Sequence, residues 1–178
     1  MKLLLAGDTH GNLPHVRYVL EQALISGART VVQVGDFGYW PHKAPFHEHV
    51  DRLASRVEIR WMWLDGNHEN FDALEHAVDV DADAPQQMGD ALWYLPRAST
   101  WEEDGCRLMA LGGAYSIDKA YRLEGLSWWP QELITRQQVD RALDRGRVDV
   151  LLTHDAPEGI CPIVSDDYKG DAISRGYR

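Results

Sequence analysis

Four short apolar runs in this chain are each followed by a small cluster of polar side chains, and this repeated pairing restricts the fold more than any other feature. The runs are short and rich in branched or aromatic residues, which is typical of buried strands. They cover residues 3–6, 30–34, 59–64 and 148–152. The polar clusters after them are Asp8-Thr9-His10, Gly35-Asp36, Gly66-Asn67-His68-Glu69 and Thr153-His154-Asp155. Because open α/β sheets place their sites beyond the carboxyl ends of the strands, we expect the four clusters to converge on one crevice.

Segments with helical spacing separate these runs. Residues 13–25, about 45–57 and 71–77 place apolar side chains on one face of a helix, and residues 134–143 do the same later in the chain. Alternation of strand and helix with short connections predicts an α/β fold with a parallel sheet covered by helices on both faces.

The middle of the chain departs from this alternation. Asp104-Gly105 is a strong hairpin signal, and apolar runs at 92–95 and 107–111 lie on either side of it. Residues 79–90 are acidic and contain Pro85 and Gly89, so we expect a surface loop there. A second, antiparallel element is therefore predicted beside the parallel sheet.

Composition limits the classes of partner. The chain has 178 residues, which favours a single domain, and a formal net charge of −10. This charge argues against a broad nucleic-acid-binding surface, but it does not exclude a phosphorylated substrate, because bound divalent cations invert the local charge of a site. No apolar stretch is long enough to cross a membrane, the first run is too short for a secretory signal, and two cysteines do not make a disulfide framework. We expect a cytoplasmic protein with no membrane contact and no obligate protein partner.

The clusters contain the side chains that a pair of metal ions requires. Asp8 and His10 lie two residues apart, so in an extended segment they point to one side and can grip one ion together. A carboxylate with an imidazole suits Mn²⁺, Fe²⁺ or Zn²⁺ better than Mg²⁺ or Ca²⁺. Asp36 follows a glycine that allows a sharp turn, and its two oxygens can bridge two cations. Asn67 adds an uncharged oxygen and His154 another nitrogen, and two cations about 3.5–4 Å apart can clamp a phosphate.

His68 follows the candidate ligand Asn67, and a tight turn there would place its imidazole over the substrate instead of the ion. A protonated imidazole can neutralise phosphate charge and protonate a leaving oxygen. Glu69 or Asp72 is expected to orient that ring through a hydrogen bond. His47-Glu48-His49 also resembles a metal-binding pair, but it lies in a predicted helix, where alternate residues diverge, so we interpret both histidines as surface residues.

These motifs, in this order, resemble those of the calcineurin-like metallophosphoesterases, in particular the small bacterial and phage phosphodiesterases. The resemblance extends from residue 8 to residue 155. It implies that Asp8 and His10 bind the first metal, Asp36 bridges, Asn67 and His154 bind the second metal, and His68 is catalytic. It also implies a four-layer α/β/β/α sandwich, with mixed sheets flanked by helices and the site above the strand ends.

The chain departs from the family pattern near its end. Family members continue to a Gly-His-x-His segment that completes both metal sites, whereas residues 155–178 contain no histidine. We therefore expect the single domain, 1–178, to be truncated at its C-terminus. Each ion would keep three protein ligands, counting Asp36 twice, and we expect weaker metal binding than in an intact relative.

The leading hypothesis is a metal-dependent phosphoester hydrolase in which a hydroxide bridging two divalent cations attacks phosphorus. Mn²⁺ is favoured, with Fe, Zn, Ni or Mg as alternatives. The expected substrate is a phosphodiester of nucleotide type, with 2′,3′-cyclic nucleotides as one candidate. The alternatives are a phosphomonoesterase or protein Ser/Thr phosphatase, and a non-enzymatic scaffold on the same fold.

No substrate-binding residue is assigned from the sequence. Aromatic residues in the connecting segments are interpreted as packing rather than as walls for a base, and residues 112–116 form either a tight turn or a phosphate contact. Lys119 and Arg122 are interpreted as solvated loop charges rather than phosphate contacts.

Overall fold

The first half of the chain forms a five-stranded sheet in which the predicted alternation of strand and helix is present. The computed structural model describes residues 2–43 and 45–156. The elements of this half are β1 (Leu3–Ala6), α1 (Leu13–Ser26), β2 (Thr30–Val34), α2 (Phe46–Arg56), β3 (Arg60–Leu64), α3 (Phe71–Ala77), β4 (Gln86–Gln87) and β5 (Leu92–Tyr94). The strand order is β1-β2-β3-β5-β4; β4 pairs antiparallel with β5, and the other neighbours pair in parallel.

The second half forms a three-stranded sheet and one further helix. Its elements are β6 (Thr100–Glu103), β7 (Cys106–Leu111), α4 (Arg136–Asp144) and β8 (Val150–Thr153). β6 and β7 form the predicted hairpin, and Asp104 and Gly105 both have positive φ at its turn. β7 then pairs in parallel with β8.

Two predictions of local structure are wrong. The apolar run at 92–95 was expected beside the hairpin, but β5 pairs with β3 in the first sheet, and the hairpin partner of β7 is the less apolar β6. The segment 79–90 is not entirely loop, because it contains β4 at the sheet edge. Both outcomes depend on which strands pair with one another across the molecule, and a local sequence pattern does not contain that information.

Alternating faces of the central strands build two separate cores. Val31, Trp61 and Trp63 belong to the core that includes helices α1 and α2, while Val32, Met62 and Leu64 belong to the core that includes the second sheet. A third cluster joins Ala142 of α4 to Met109 on the outer face of that sheet. The layers are thus α/β/β/α, which confirms the fold implied by the resemblance. The expectation of helices on both faces of one sheet is wrong, because a second sheet covers one face.

The strand ends carrying the polar clusters lie at one edge of this sandwich. Among residues 2–43 and 45–156, no helix has the length and apolar character needed to cross a bilayer. Cys106 is half-buried and unbridged. The predictions about the C-terminal end concern residues 157–178, which lie outside the described ranges.

Candidate metal centre

Asp8, His10 and Asp36 come together at the ends of β1 and β2. His10 Nε2 lies 3.6 Å from Asp8 Oδ2 and 3.5 Å from Asp36 Oδ2. One ligand atom from each of the three residues lies within 4.8 Å of the ligand atoms of the other two, as expected for side chains that share an ion.

Backbone hydrogen bonds, rather than an extended segment, bring these residues together. β1 ends at Ala6, and His10 has a left-handed φ of 44°, so the expected extended geometry of residues 8–10 is wrong. The amides of Thr9 and His10 donate to the Asp36 carbonyl at 3.1 and 2.8 Å. The Thr9 hydroxyl donates to the Phe37 carbonyl at 2.9 Å. The two loops are therefore joined directly.

His154 approaches the same carboxylate from the other side, at the end of β8. Its Nε2 lies 3.6 Å from Asp36 Oδ1, and its Nδ1 lies 2.8 Å from the Val34 carbonyl. A carbonyl can only accept, so Nδ1 carries a proton, and in the neutral ring Nε2 then has the free lone pair. Metal-binding histidines commonly have this arrangement, in which a backbone acceptor fixes the tautomer.

The Asp36 carboxylate lies between the two histidines, with a different oxygen facing each. Oδ1 also accepts 2.9 Å hydrogen bonds from the amides of Asn67 and His68, which hold the buried carboxylate in place. Gly35 has a φ of 99°, and a Cβ on it would overlap His154. A Cβ on Gly66 would overlap Asp36 Oδ1. Both glycines are therefore required for the approach of these groups.

Asn67 lines the cleft beside Asp36, and a hydrogen bond orients its side-chain amide. Its Nδ2 donates to Ser116 Oγ at 2.9 Å, which leaves Oδ1 available to a ligand. The backbone carbonyl of Asn67 accepts a hydrogen bond from Arg122 Nη2 at 3.1 Å. Arg122 is largely buried and paired with Glu132, so its interpretation as a solvated charge is wrong.

His68 lines the cleft beside the candidate ligands. Its ring is edge-on to that of His10, with 5.4 Å between centroids, and its backbone carbonyl accepts from Trp40 Nε1 at 3.0 Å. Burial lowers the pKa of His68 below its ordinary value, and the nearby Asp36 carboxylate opposes this effect. A neutral ring is favoured in the free protein, and its protonated form is a stronger acid than an exposed imidazolium.

Glu69 does not orient His68, contrary to expectation. Its fully buried carboxylate accepts hydrogen bonds from the amides of Phe37, Gly38 and Tyr39 at 2.6–3.0 Å. Burial raises the pKa of Glu69 to about 8, although the hydrogen bond from Tyr39 opposes the rise. Glu69 therefore holds the loop after Asp36. Asp72, the other residue considered for orienting His68, is exposed on α3.

The spacing of the donors around Asp36 is compatible with metal coordination. Donors bound tetrahedrally at 2.0–2.2 Å lie roughly 3.4 Å apart, close to the observed 3.5 and 3.6 Å separations around Asp36. Asp8, His10 and Asp36 would hold one ion, and Asp36, Asn67 and His154 the other. Mixed nitrogen and oxygen donors favour a transition metal over Ca²⁺.

The cleft beside these residues has a volume of about 620 Å³. Its lining also includes Gly113, Ala114, Tyr115, Ile117, Leu133 and Ile134. Asp118 and Asp155 line it as well, and no lysine or arginine does so among the described residues. Sequence reasoning did not find Leu133 or Ile134, because apolar residues in an irregular segment carry no signal of their own.

The other histidine pair lies elsewhere. His47 packs edge-on against Tyr39, with ring centroids 5.0 Å apart, and His49 Nδ1 lies 2.8 Å from the Pro45 carbonyl. Neither lines the cleft, but the interpretation of both as surface residues is wrong, because both are half-buried and His47 packs against Tyr39.

Comparison with known proteins places this geometry in a family. No curated protein and no solved structure matches the chain significantly. The model of the calcineurin-like phosphoesterase family matches residues 1–176, nearly the whole length. The α/β/β/α sandwich and the cluster of carboxylates and imidazoles at its strand ends agree with this match. The chain belongs to the calcineurin-like phosphoesterase family.

Proposed function

We propose that this protein is a metal-dependent phosphodiesterase acting on nucleotide-like substrates. Family membership supports metal-dependent hydrolysis of phosphoesters. The observation that carries the proposal is the position of Asp36, whose two oxygens face His10 and His154 at 3.5 and 3.6 Å. A carboxylate held between two imidazole nitrogens that can bind metal is suited to bridging a pair of cations.

The residues around Asp36 divide into two ligand sets. Asp8 and His10 complete the first with Asp36, and Asn67 and His154 complete the second. Bound cations supply Lewis acidity toward the phosphoryl oxygens and lower the pKa of coordinated water. The protein contributes the spacing of the ligands, and the hydrogen bonds at Asp36 Oδ1 prevent that carboxylate from rotating.

His68 is proposed as the catalytic group outside the ligand sets. It borders the cleft next to Asn67, and its backbone amide is tied to Asp36. When water attacks phosphorus and the bond to the leaving oxygen breaks, the His68 imidazolium donates a proton to that oxygen. The lowered pKa makes the His68 imidazolium a stronger acid than an exposed one, so it transfers its proton more readily, while a smaller fraction of the rings is protonated at neutral pH.

The lining of the cleft favours a diester over a monoester. A monoester dianion brings a second negative charge, and the described lining offers acidic Asp118 and Asp155 but no lysine or arginine to balance it. A diester carries one negative charge and a second organic group. Ile117 is 66% exposed at the cleft, and Tyr115 and Ile134 lie beside it, so an apolar surface faces that group. A nucleoside, including one with a 2′,3′-cyclic phosphate, matches this surface.

The test compares bis-p-nitrophenyl phosphate with p-nitrophenyl phosphate in the presence of Mn²⁺. We expect a higher kcat/KM for the diester, loss of activity with chelator and recovery on adding Mn²⁺. Parallel reactions with Fe²⁺, Zn²⁺, Ni²⁺ and Mg²⁺ identify the preferred ion. Hydrolysis of the monoester alone would favour a phosphomonoesterase or protein phosphatase, and absence of both activities in metal-bound protein would favour a scaffold.

His68→Ala tests the catalytic assignment. We expect kcat to fall by about 10²–10⁴-fold, the usual contribution of a positioned acid, while metal binding is retained. His76→Ala is the control, because His76 is an exposed histidine on α3 outside the cleft lining. Unchanged turnover in His68→Ala would refute the role of His68 without refuting the metal ligands.

A further inference from the structure

A buried polar cluster formed by Ser116, Arg122 and Glu132 contacts Asn67 through Ser116 and Arg122. Ser116 and Glu132 are 0% and 1% exposed, and the Arg122 side chain is 8% exposed. Arg122 Nη1 donates to Ser116 Oγ and lies 3.6 Å from Glu132 Oε2. Arg122 and Glu132 do not line the cleft, so neither residue can contact a substrate there.

The hydrogen bonds of Ser116 leave it only one way to meet Asn67. Its hydroxyl donates to Glu132 Oε2 at 2.9 Å, and its amide donates to Glu132 Oε1 at 3.0 Å. A guanidinium can only donate, so Arg122 also occupies a lone pair of Ser116 Oγ. The hydroxyl proton is thus committed to the carboxylate, and Ser116 can only accept from Asn67.

We propose that Ser116, held by Glu132 and Arg122, is a positioning residue that fixes which end of the Asn67 amide faces the metal cleft. An asparagine amide can rotate by 180° and exchange its oxygen for its NH₂ group with little change of shape. Ser116 accepts only the NH₂ group, at 2.9 Å, so the oxygen is directed away from it. This inference rests on the proposed function, in which that oxygen binds the second ion.

The cluster is itself held rigidly from behind. Arg97 forms a buried ion pair with Asp65 at 2.6 Å and donates to the carbonyls of Gln131, Glu132 and Leu133 at 2.8–3.1 Å. The backbone that carries Glu132 therefore has little freedom to move. Because Glu132, which orients Ser116, is fixed in this way, Ser116 Oγ is a fixed acceptor for the Asn67 NH₂ group.

Ser116→Ala removes this control. Without the acceptor, the NH₂ group of Asn67 loses its hydrogen-bond partner, and nothing then opposes rotation of the amide by 180°. We expect affinity for the second Mn²⁺ to fall by about 10–100-fold, as found when groups that orient metal ligands are removed, while the first Mn²⁺ binds as in wild type. Calorimetric titration of chelator-treated protein with MnCl₂ measures both sites independently of activity.

Ser99→Ala is the matched control. Ser99 is also fully buried, and its hydroxyl has no hydrogen-bond partner among the described residues, so the same atoms are removed without touching Asn67. We expect two ions to bind it as they bind wild type. Thermal unfolding of the metal-free variants identifies any loss of folding. If Ser116→Ala does not fold, Glu132→Gln replaces it, because a glutamine NH₂ group can donate to Ser116 and release the hydroxyl proton toward Asn67.

Asn67→Asp separates positioning from a merely structural role. A carboxylate presents an oxygen in either orientation, so adding Ser116→Ala to Asn67→Asp should change affinity for the second ion by less than about twofold. Equal losses from Ser116→Ala in both backgrounds would overturn the positioning role. Wild-type affinity in Ser116→Ala would overturn it as well. Absence of Mn²⁺ binding in wild type would instead overturn the proposed function from which the inference starts.

Discussion

Asp36 is the residue on which both candidate ligand sets depend, because each of its carboxylate oxygens faces a different histidine. It has a left-handed φ of 51°, next to Gly35 with a φ of 99°. Two consecutive left-handed residues turn the chain sharply at the end of β2 and direct the carboxylate into the cleft. Such a conformation is unfavourable for a residue other than glycine, and the hydrogen bonds from residues 9, 10, 67 and 68 offset it here.

Gly66→Ala tests the close packing at that carboxylate. A Cβ at position 66 would overlap Asp36 Oδ1, although φ at Gly66 is not positive, so the effect is steric. We expect Asp36 to be displaced and affinity for both Mn²⁺ ions to fall by tenfold or more, a loss of at least about 1.4 kcal/mol per site.

Gly7→Ala provides the comparison for that variant. Gly7 lies in the same group of strand-end loops, and within the part of the chain that the structure describes an added Cβ there would meet no heavy atom within 4 Å. We expect it to bind Mn²⁺ like wild type in the same calorimetric titration. Equal affinity of the two variants would contradict the steric argument.

At the scale of elements, the loops that carry His10 and His68 each lie between a strand that ends and a helix that is capped by asparagine. Asn12 caps α1 by accepting from the His15 amide at 3.1 Å, and Asn70 caps α3 by accepting from the Ala73 amide at 3.0 Å. The caps fix where the helices begin, and this determines the length of the loops that carry His10 and His68. Glu69 ties the second of these loops to residues 37–39.

Asn70→Ala is expected to destabilise the protein by about 1 kcal/mol, the usual effect of removing an N-cap side chain. Asn70→Asp keeps an oxygen acceptor and should retain most of that stability. Urea unfolding of the metal-free protein measures both variants. A loss as large in Asn70→Asp as in Asn70→Ala would show that the acceptor oxygen is not what stabilises α3.

At the scale of the whole molecule, the centre joins the two sheets. Asp8, Asp36 and Asn67 follow strands of the first sheet, whereas His154 follows β8 of the second. The full set of candidate ligands therefore exists only when the inter-sheet core around Met62, Leu108 and Leu152 is packed. Ions that bind this arrangement and not the unfolded chain must stabilise the folded state.

Mn²⁺ is therefore expected to raise the Tm. At a free concentration 100 times Kd, each occupied site contributes about 2.7 kcal/mol to the free energy of unfolding. His154→Ala should reduce this increase, because it removes a ligand from the second site, and chelator should abolish it in both proteins. Differential scanning calorimetry over a range of MnCl₂ concentrations makes the measurement. An increase in His154→Ala as large as in wild type would contradict its assignment as a ligand.

The order of the polar clusters was enough to predict the family, and the meeting of Asp8 and Asp36 follows because parallel strands of one sheet end at a common edge. His154 follows a strand of the other sheet, so its place beside Asp36 was implied by the resemblance and not by sheet geometry. Local patterns also located β1, β2 and α3, where apolar spacing and turn residues agree. They could not predict that β5 joins the first sheet or that a second sheet covers one of its faces, because an apolar strand face packs equally well against a helix or a strand. The roles of Glu69, Ser116 and Glu132 were decided by tertiary contacts alone: a buried polar side chain takes its partners from segments distant in the chain, and no local pattern records which amide or hydroxyl it will meet.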